Sequence, residues 1–186
     1  MSFKKNKILI IGVMHAAQDL GHFERRIGGL RKNFSADFVK NESDNLLKMR
    51  AEMLGLIERL NPDFVIEECG PYKKVPGDTW KAMTDSQATI LEKEYPDRHI
   101  FIDARLEPSG DKPSLEKRER EMLNSIKKII KKNSEARVVL VIGASHIESM
   151  GDLLDGARLS FESKNLKNKF FSNIKELLAK EKNAKV

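Results

Sequence analysis

Residues 137–154 read RVVLVIGASHIESMGDLL, and the fold follows from them. The first six, RVVLVI, form the most apolar strand-like run in the chain, rich in β-branched residues and closed by Gly143. A short continuous apolar run that ends in a turn is how a strand buried on both faces reads, and such strands belong to parallel sheets. Beyond the turn, Ser145 and Glu148 form Ser-x-x-Glu, the pattern of a capping box, so a helix is expected to open there.

Working outward, residues 7–13 (KILIIGV) repeat the pattern, an apolar β-branched run closed by Gly12, and are expected to be a central strand. Residues 63–69 (DFVIEEC) give a shorter strand that ends in two carboxylates before the breakers Gly70 and Pro71. Residues 98–103 (RHIFID) give another. Between these runs lie helical periods. Residues 43–60 place Leu46, Leu47, Met53, Leu54, Ile57 and Leu60 at helical spacing before the stop Asn61-Pro62, and residues 114–132 do the same with Leu115, Met122, Ile126, Ile129 and Ile130. A helix or broken helix is expected over 79–95, an edge strand at 159–161 and a last helix over 165–180. Residues 22–38 show no clean period and contain Gly28-Gly29, so they read as a long connection, a flap over a site. Strand and helix in alternation predict one α/β domain over residues 1–181, a parallel or mostly parallel sheet with helices on both faces, followed by a frayed tail at 182–186.

Composition agrees with one packed core: 186 residues, 40% of them hydrophobic, suit a single domain. Cys69 is the only cysteine, which excludes an intramolecular disulfide and points to a cytoplasmic protein. The apolar opening run lacks a cleavage site, and no stretch has the eighteen or so apolar residues of a membrane helix, so no membrane partner is expected. The net charge of +6 is spread over mixed-sign segments, 117–132 with Glu116, Glu119 and Glu121 and 164–185 with Glu176 and Glu181, which read as solvated faces. With no aromatic platform beside them, a nucleic-acid partner is not expected. The oligomeric state is open.

In a parallel sheet, ligands bind beyond the carboxyl ends of the strands, so the polar residues at those ends carry the chemistry. They are Gly12-x-x-His15, Glu67-Glu68, Asp103 with Arg105, and Gly143-x-x-His146. Neighbouring strands lie about 4.8 Å apart, so side chains at adjacent tips can converge on one metal ion or one substrate group, provided the two histidine strands are neighbours. His22 and His99 read as hydrogen-bonded structural residues. Cys69 is a soft ligand in principle and a small apolar group more often. Because side chains alternate along a strand, Asp63 and Glu67 should share one face and Glu68 the other, so only one glutamate is expected to reach the crevice. The two glycines are expected to supply positive φ or close packing.

The segments GVMH, PDFVIEECG, FIDAR and VIGASHIESMGDLL, in this order, resemble the Tiki/TraB group within the broader superfamily of erythromycin esterases and ChaN-like proteins. The resemblance spans residues 8–154 and rests on His15, on Glu68 after Pro62-Asp63, on His146, and on Asp103 and Arg105 with Ala104 between them. For Tiki-like members it implies a metal-dependent hydrolase of peptide or ester bonds. His15, His146 and Glu68 would hold a divalent ion such as manganese, cobalt or zinc, and Arg105 would stabilise the oxyanion. For the esterase branch it implies metal-free hydrolysis, with Glu68 orienting a histidine that deprotonates water. For ChaN-like members it implies iron or haem binding without turnover, and a non-catalytic protein that recruits a partner through its Lys-rich surface is the remaining alternative. Glu67 and Asp103 are secondary candidates in each case, and a small molecule or peptide is the expected substrate.

Overall fold

The structure, a computed structural model, describes residues 8–18, 20–68, 72–75, 79–82, 89–102 and 115–172, with residues 176 and 179 beyond them. Strands β1 (Ile8–Val13), β2 (Phe64–Glu67), β5 (His99–Phe101), β6 (Val138–Gly143) and β7 (Phe161–Asn165) form one sheet in the order β5-β2-β6-β1-β7. Every pairing in it is parallel. Strands β3 (Tyr72–Val75) and β4 (Thr79–Ala82) pair with each other, antiparallel, apart from this sheet. The two apolar runs behave as their composition demands: all six residues of β1 and all six of β6 are buried. Strand β6 is the middle strand, and β1 lies between it and the edge strand β7.

Alternation divides the core in two. Leu9, Ile11, Val13, Val65, Val139 and Val141 pack on one face, against helices α1 (His15–Gln18), α2 (Leu20–Arg31), α3 (Ala36–Leu60), α4 (Ile90–Glu94) and α7 (Leu166–Phe171). Ile8, Ile10, Ile66, Val138, Leu140 and Ile142 pack on the other, against α5 (Leu115–Lys132) and α6 (Ile147–Gly156). The α/β architecture with helices on both faces is therefore as the sequence reads. Among the described residues no helix is long and apolar enough to cross a membrane.

Three local expectations are corrected. Residues 22–38 are no flap: α2 continues through Gly28 and Gly29 to Arg31, and α3 starts at Ala36, where Ser35 caps it by accepting from the Phe38 amide at 3.2 Å. Two glycines cost a helix about 1 kcal/mol each. Tertiary packing outweighs that here, because Ile27 is buried and Phe23, Leu30 and Phe34 pack on the same core. Residues 79–95 are not one helix; Thr79–Ala82 is β4, and only Ile90–Glu94, capped by the Thr89 hydroxyl, is helical among the described residues. The sequence between β3 and β4 contains Pro76-Gly77, a pair whose composition disfavours a continuous helix over this stretch. The last strand begins at Phe161, where the expected one ended, and runs to Asn165. The helix after it is described only to Phe171, while residues 1–7 and 182–186 lie outside the described residues.

The topology locates the crevice. Strands β1 and β6 are neighbours in register Val13↔Gly143, yet the chain leaving β1 packs on the α3 face and the chain leaving β6 packs on the α5 face. Where adjacent parallel strands send their connections to opposite faces, the loops part and open a binding crevice. The Gly-x-x-His turns are the two lips of that opening. Gly12 is needed for the packing beneath it. A Cβ there would lie 2.6 Å from Ile147 Cγ1 and 3.1 Å from the Ala144 backbone, so the start of α6 would have to move. Gly12→Ala is therefore expected to destabilise the protein by about 1–3 kcal/mol. A fall in the urea midpoint at unchanged m-value is the readout, and an unchanged midpoint would refute the close approach.

Candidate functional site at the strand tips

The α/β scaffold brings together two of the residues that the sequence singles out. Glu68 follows β2, and its backbone amide donates to the Val141 carbonyl at 3.0 Å, which continues the ladder with β6 by one residue. Its carboxylate then reaches across the tip of β6: Oε2 accepts the Gly143 amide at 2.7 Å, and Oε1 lies 3.1 Å from His146 Nε2. This single carboxylate fixes both the turn after β6 and the imidazole that the turn carries. Gly143 itself has φ −57°, so it is not there to supply a left-handed backbone. The absence of a side chain at Gly12, rather than positive φ, accounts for the glycine of the first motif.

His146 has a second carboxylate. Glu119 of α5 places Oε1 2.7 Å from Nδ1 and also accepts the Ser149 hydroxyl at 2.6 Å. The ring is only 4% exposed, with an acceptor at each nitrogen. An imidazole satisfies two acceptors only when both nitrogens carry hydrogen; with one hydrogen, the other nitrogen must meet a proton or a cation between itself and its carboxylate. Burial here is therefore polar and not apolar packing, and it fixes ring orientation from both ends.

The sequence reading missed Glu119 and assigned it to a solvated face. The signal was available. Glu119 falls in the stripe Leu115, Met122, Ile126 at intervals of four, three and four, so the helix turns it inward, and it is 5% exposed. Glu42 sits in the same way in the α3 stripe before Leu46 and Met49; it is 3% exposed, and its Oε1 accepts from Arg26 Nε at 2.6 Å and from Nη2. The expected capping box is corrected. Helix α6 is preceded by a 3-10 turn at Ala144–His146, neither start has a side-chain cap, and Ser145 and Glu148 are exposed.

Glu67 goes elsewhere, as alternation requires. On the opposite face it is fully buried and takes the Thr89 hydroxyl at 2.7 Å, His99 Nε2 at 2.9 Å and Gln18 Nε2 at 3.1 Å. It ties β2 to β5, to the start of α4 and to the end of α1, the four-residue helix that begins at His15. His99 is the hydrogen-bonded residue expected of it. Thr89 and Gln18 carried no signal in the sequence.

The backbone of His15 stands at the tip of β1, two residues beyond the Val13↔Gly143 pair, but its side chain lies outside the described residues. So do Cys69, Asp103, Arg105 and the side chain of His22. Between the two turns lies a cleft of about 340 Å³, lined by Met14 and Ala16 on either side of His15, by residues 143–145, and by Arg26 and Lys167 on its walls. His146 is adjacent to this lining in sequence, while its ring turns towards α5. Among the described residues no group of three or more histidine, cysteine or acidic side chains is arranged to hold a metal ion. Comparison of the chain with protein-family models, curated proteins and solved structures finds no match.

Proposed function

We propose that this protein is a hydrolase of the Tiki/TraB-like type, cleaving a peptide or ester bond at the tips of β1 and β6. One observation carries the reading: Glu119 holds His146 Nδ1 while Nε2 and Glu68 Oε1 face each other 3.1 Å apart at the carboxyl end of the sheet. A carboxylate on the far nitrogen of a histidine fixes its tautomer and raises the basicity of the near one, the arrangement found behind metal-binding histidines. The near nitrogen and a carboxylate oxygen form the mixed donor set that manganese, cobalt or zinc accepts. In this reading His146 and Glu68 would be ligands to a divalent ion, and His15, which opens α1 just after the neighbouring strand, the third. When bound, such an ion lowers the pKa of a coordinated water and supplies a nucleophile near neutral pH.

The chain's own contribution is positional. Gly143 orients the Glu68 carboxylate, Glu119 and Ser149 orient the ring, and Glu67 anchors the end of the helix that His15 opens. Arg105, assigned by resemblance to the oxyanion, and Asp103 complete the proposed set.

The direct contact of Nε2 with Glu68 favours a second reading on the same residues. Here Glu119 orients His146 through Nδ1, and Nε2, with a water admitted between it and Glu68, takes that water's proton without a metal. Calorimetric titration of manganese, cobalt and zinc into the wild type and into His15→Ala separates the two. Binding by the wild type that weakens at least about tenfold in the variant supports the ion. No heat in either protein, together with hydrolysis of an ester or peptide panel in the presence of chelator, removes the metal and leaves the second reading. No hydrolysis under either condition removes both.

A further inference from the structure

We propose that the cleft between the β1 and β6 turns binds the oxyanion end, carboxylate or phosphate, of a small, partly apolar ligand, with Lys167 and Arg26 as its counter-charges. The cleft holds about 340 Å³, room for a body of about ten non-hydrogen atoms at roughly 30 Å³ per water-sized group. Its lining is apolar on the β1 side, through Met14 and Ala16, and polar across from them, through Ser145. Both charged groups among the described lining residues are cations.

Lys167 is exposed and forms no ion pair among the described residues, whereas its near neighbour Lys169 is engaged with Glu52. It also stands in the first turn of α7, where a cation opposes the helix dipole and adds nothing to helix stability. Arg26 is held from behind. Glu42, buried and outside the lining, takes Nε and Nη2 through one oxygen, and this pins the guanidinium at the cleft wall with its Nη1 side uncommitted among the described residues. A guanidinium held from behind and an ammonium lining the same cleft suit an oxyanion, which takes a planar fork and a point charge together. Because Met14 and Ala16 flank His15, a ligand anchored there presents its next bonds to the tips of β1 and β6. As a statement about substrate the inference rests on the hydrolase reading; as a statement about binding it stands alone.

The test is equilibrium titration of the full chain, with chelator present, using N-benzoylglycine, its neutral amide and inorganic phosphate. N-Benzoylglycine is expected to bind and the amide not to. Lys167→Glu should weaken binding at least about tenfold, while Lys128→Glu, the same charge change on exposed α5, should leave it unaltered. Phosphate that competes for the site also supports it, and phosphate binding tighter than the carboxylate assigns the ligand to phosphates. Equal binding of the amide, equal weakening by the two lysine variants, or no binding of any probe overturns the inference. His146→Gln separates the two readings. Retained probe binding without hydrolysis supports both, and probe binding by a wild type that hydrolyses nothing keeps the oxyanion site while ending the hydrolase.

Discussion

Glu68→Ala is expected to abolish turnover and to lower stability by about 3–5 kcal/mol, whereas Glu68→Gln should abolish turnover and leave most of the stability. The difference follows from what each atom does. Oε2 accepts the buried Gly143 amide at 2.7 Å, and Oε1 faces His146 Nε2 at 3.1 Å. Alanine removes both acceptors at a residue that is 1% exposed, so the Gly143 amide and His146 Nε2 lose these contacts inside the fold. Each such loss costs about 1–3 kcal/mol. Glutamine keeps a carbonyl oxygen for one of these contacts but carries no negative charge. Without the charge it can neither ligate a cation well nor drive a proton onto the ring, so the rate should fall on the order of 10²–10⁴. Urea unfolding and the ester and peptide panel, run on both variants, give the two readouts. Wild-type turnover by Glu68→Gln would remove Glu68 from the chemistry in both the metal and the metal-free readings.

The parts of this molecule that were legible in the sequence are those where one local pattern suffices. The runs 7–13 and 137–142 read as strands buried on both faces, and the alternation of side chains alone separates Glu67 from Glu68. The break at Asn61 follows from its left-handed backbone, φ 46°, and the proline after it. Local pattern fails where the decisive partner is distant in sequence. Helix α2 looks unfit to be a helix until Ile27 and Phe23 meet the core, and 79–82 looks helical until it pairs with 72–75. Strand order is of the same kind. That β6 inserts between β2 and β1, and so brings the two Gly-x-x-His turns side by side, depends on pairings between segments distant in sequence, which no local pattern encodes.

The candidate site divides along the same line. His146 and Glu68 were found because they end apolar strands, where polar groups are conspicuous. Glu119 was missed because a helix rich in lysine and glutamate hides one inward carboxylate among many outward ones. Spacing distinguishes it: a charged residue that falls in register with Leu115, Met122 and Ile126 must be buried, and a buried carboxylate must have a partner. Glu42 obeys the same rule in α3, where its partner is Arg26. An acidic residue inside an apolar stripe is thus a signal of a buried polar site, as one at the end of an apolar strand is.

The strongest coupling in the protein should be that between His146 and its two carboxylates. His146→Ala leaves Glu68 and Glu119 buried, 1% and 5% exposed, with the group between them gone. The Gly143 amide still donates to one carboxylate and the Ser149 hydroxyl to the other, but neither of these donors carries charge. Removing one member of a buried charged or charge-sharing set costs about 3–5 kcal/mol, because the rest stays desolvated and uncompensated. His146→Gln returns one N–H donor and should recover part of this. Glu119→Ala relieves the second carboxylate, so the double variant His146→Ala/Glu119→Ala should be more stable than the sum of the single losses by about 1–3 kcal/mol. A double-mutant cycle by urea unfolding measures that interaction directly. Additive losses would mean that the 2.7 Å contact between Nδ1 and Glu119 does not orient the ring in solution. In that case the fixed tautomer, on which both hydrolytic readings depend, would have no physical basis.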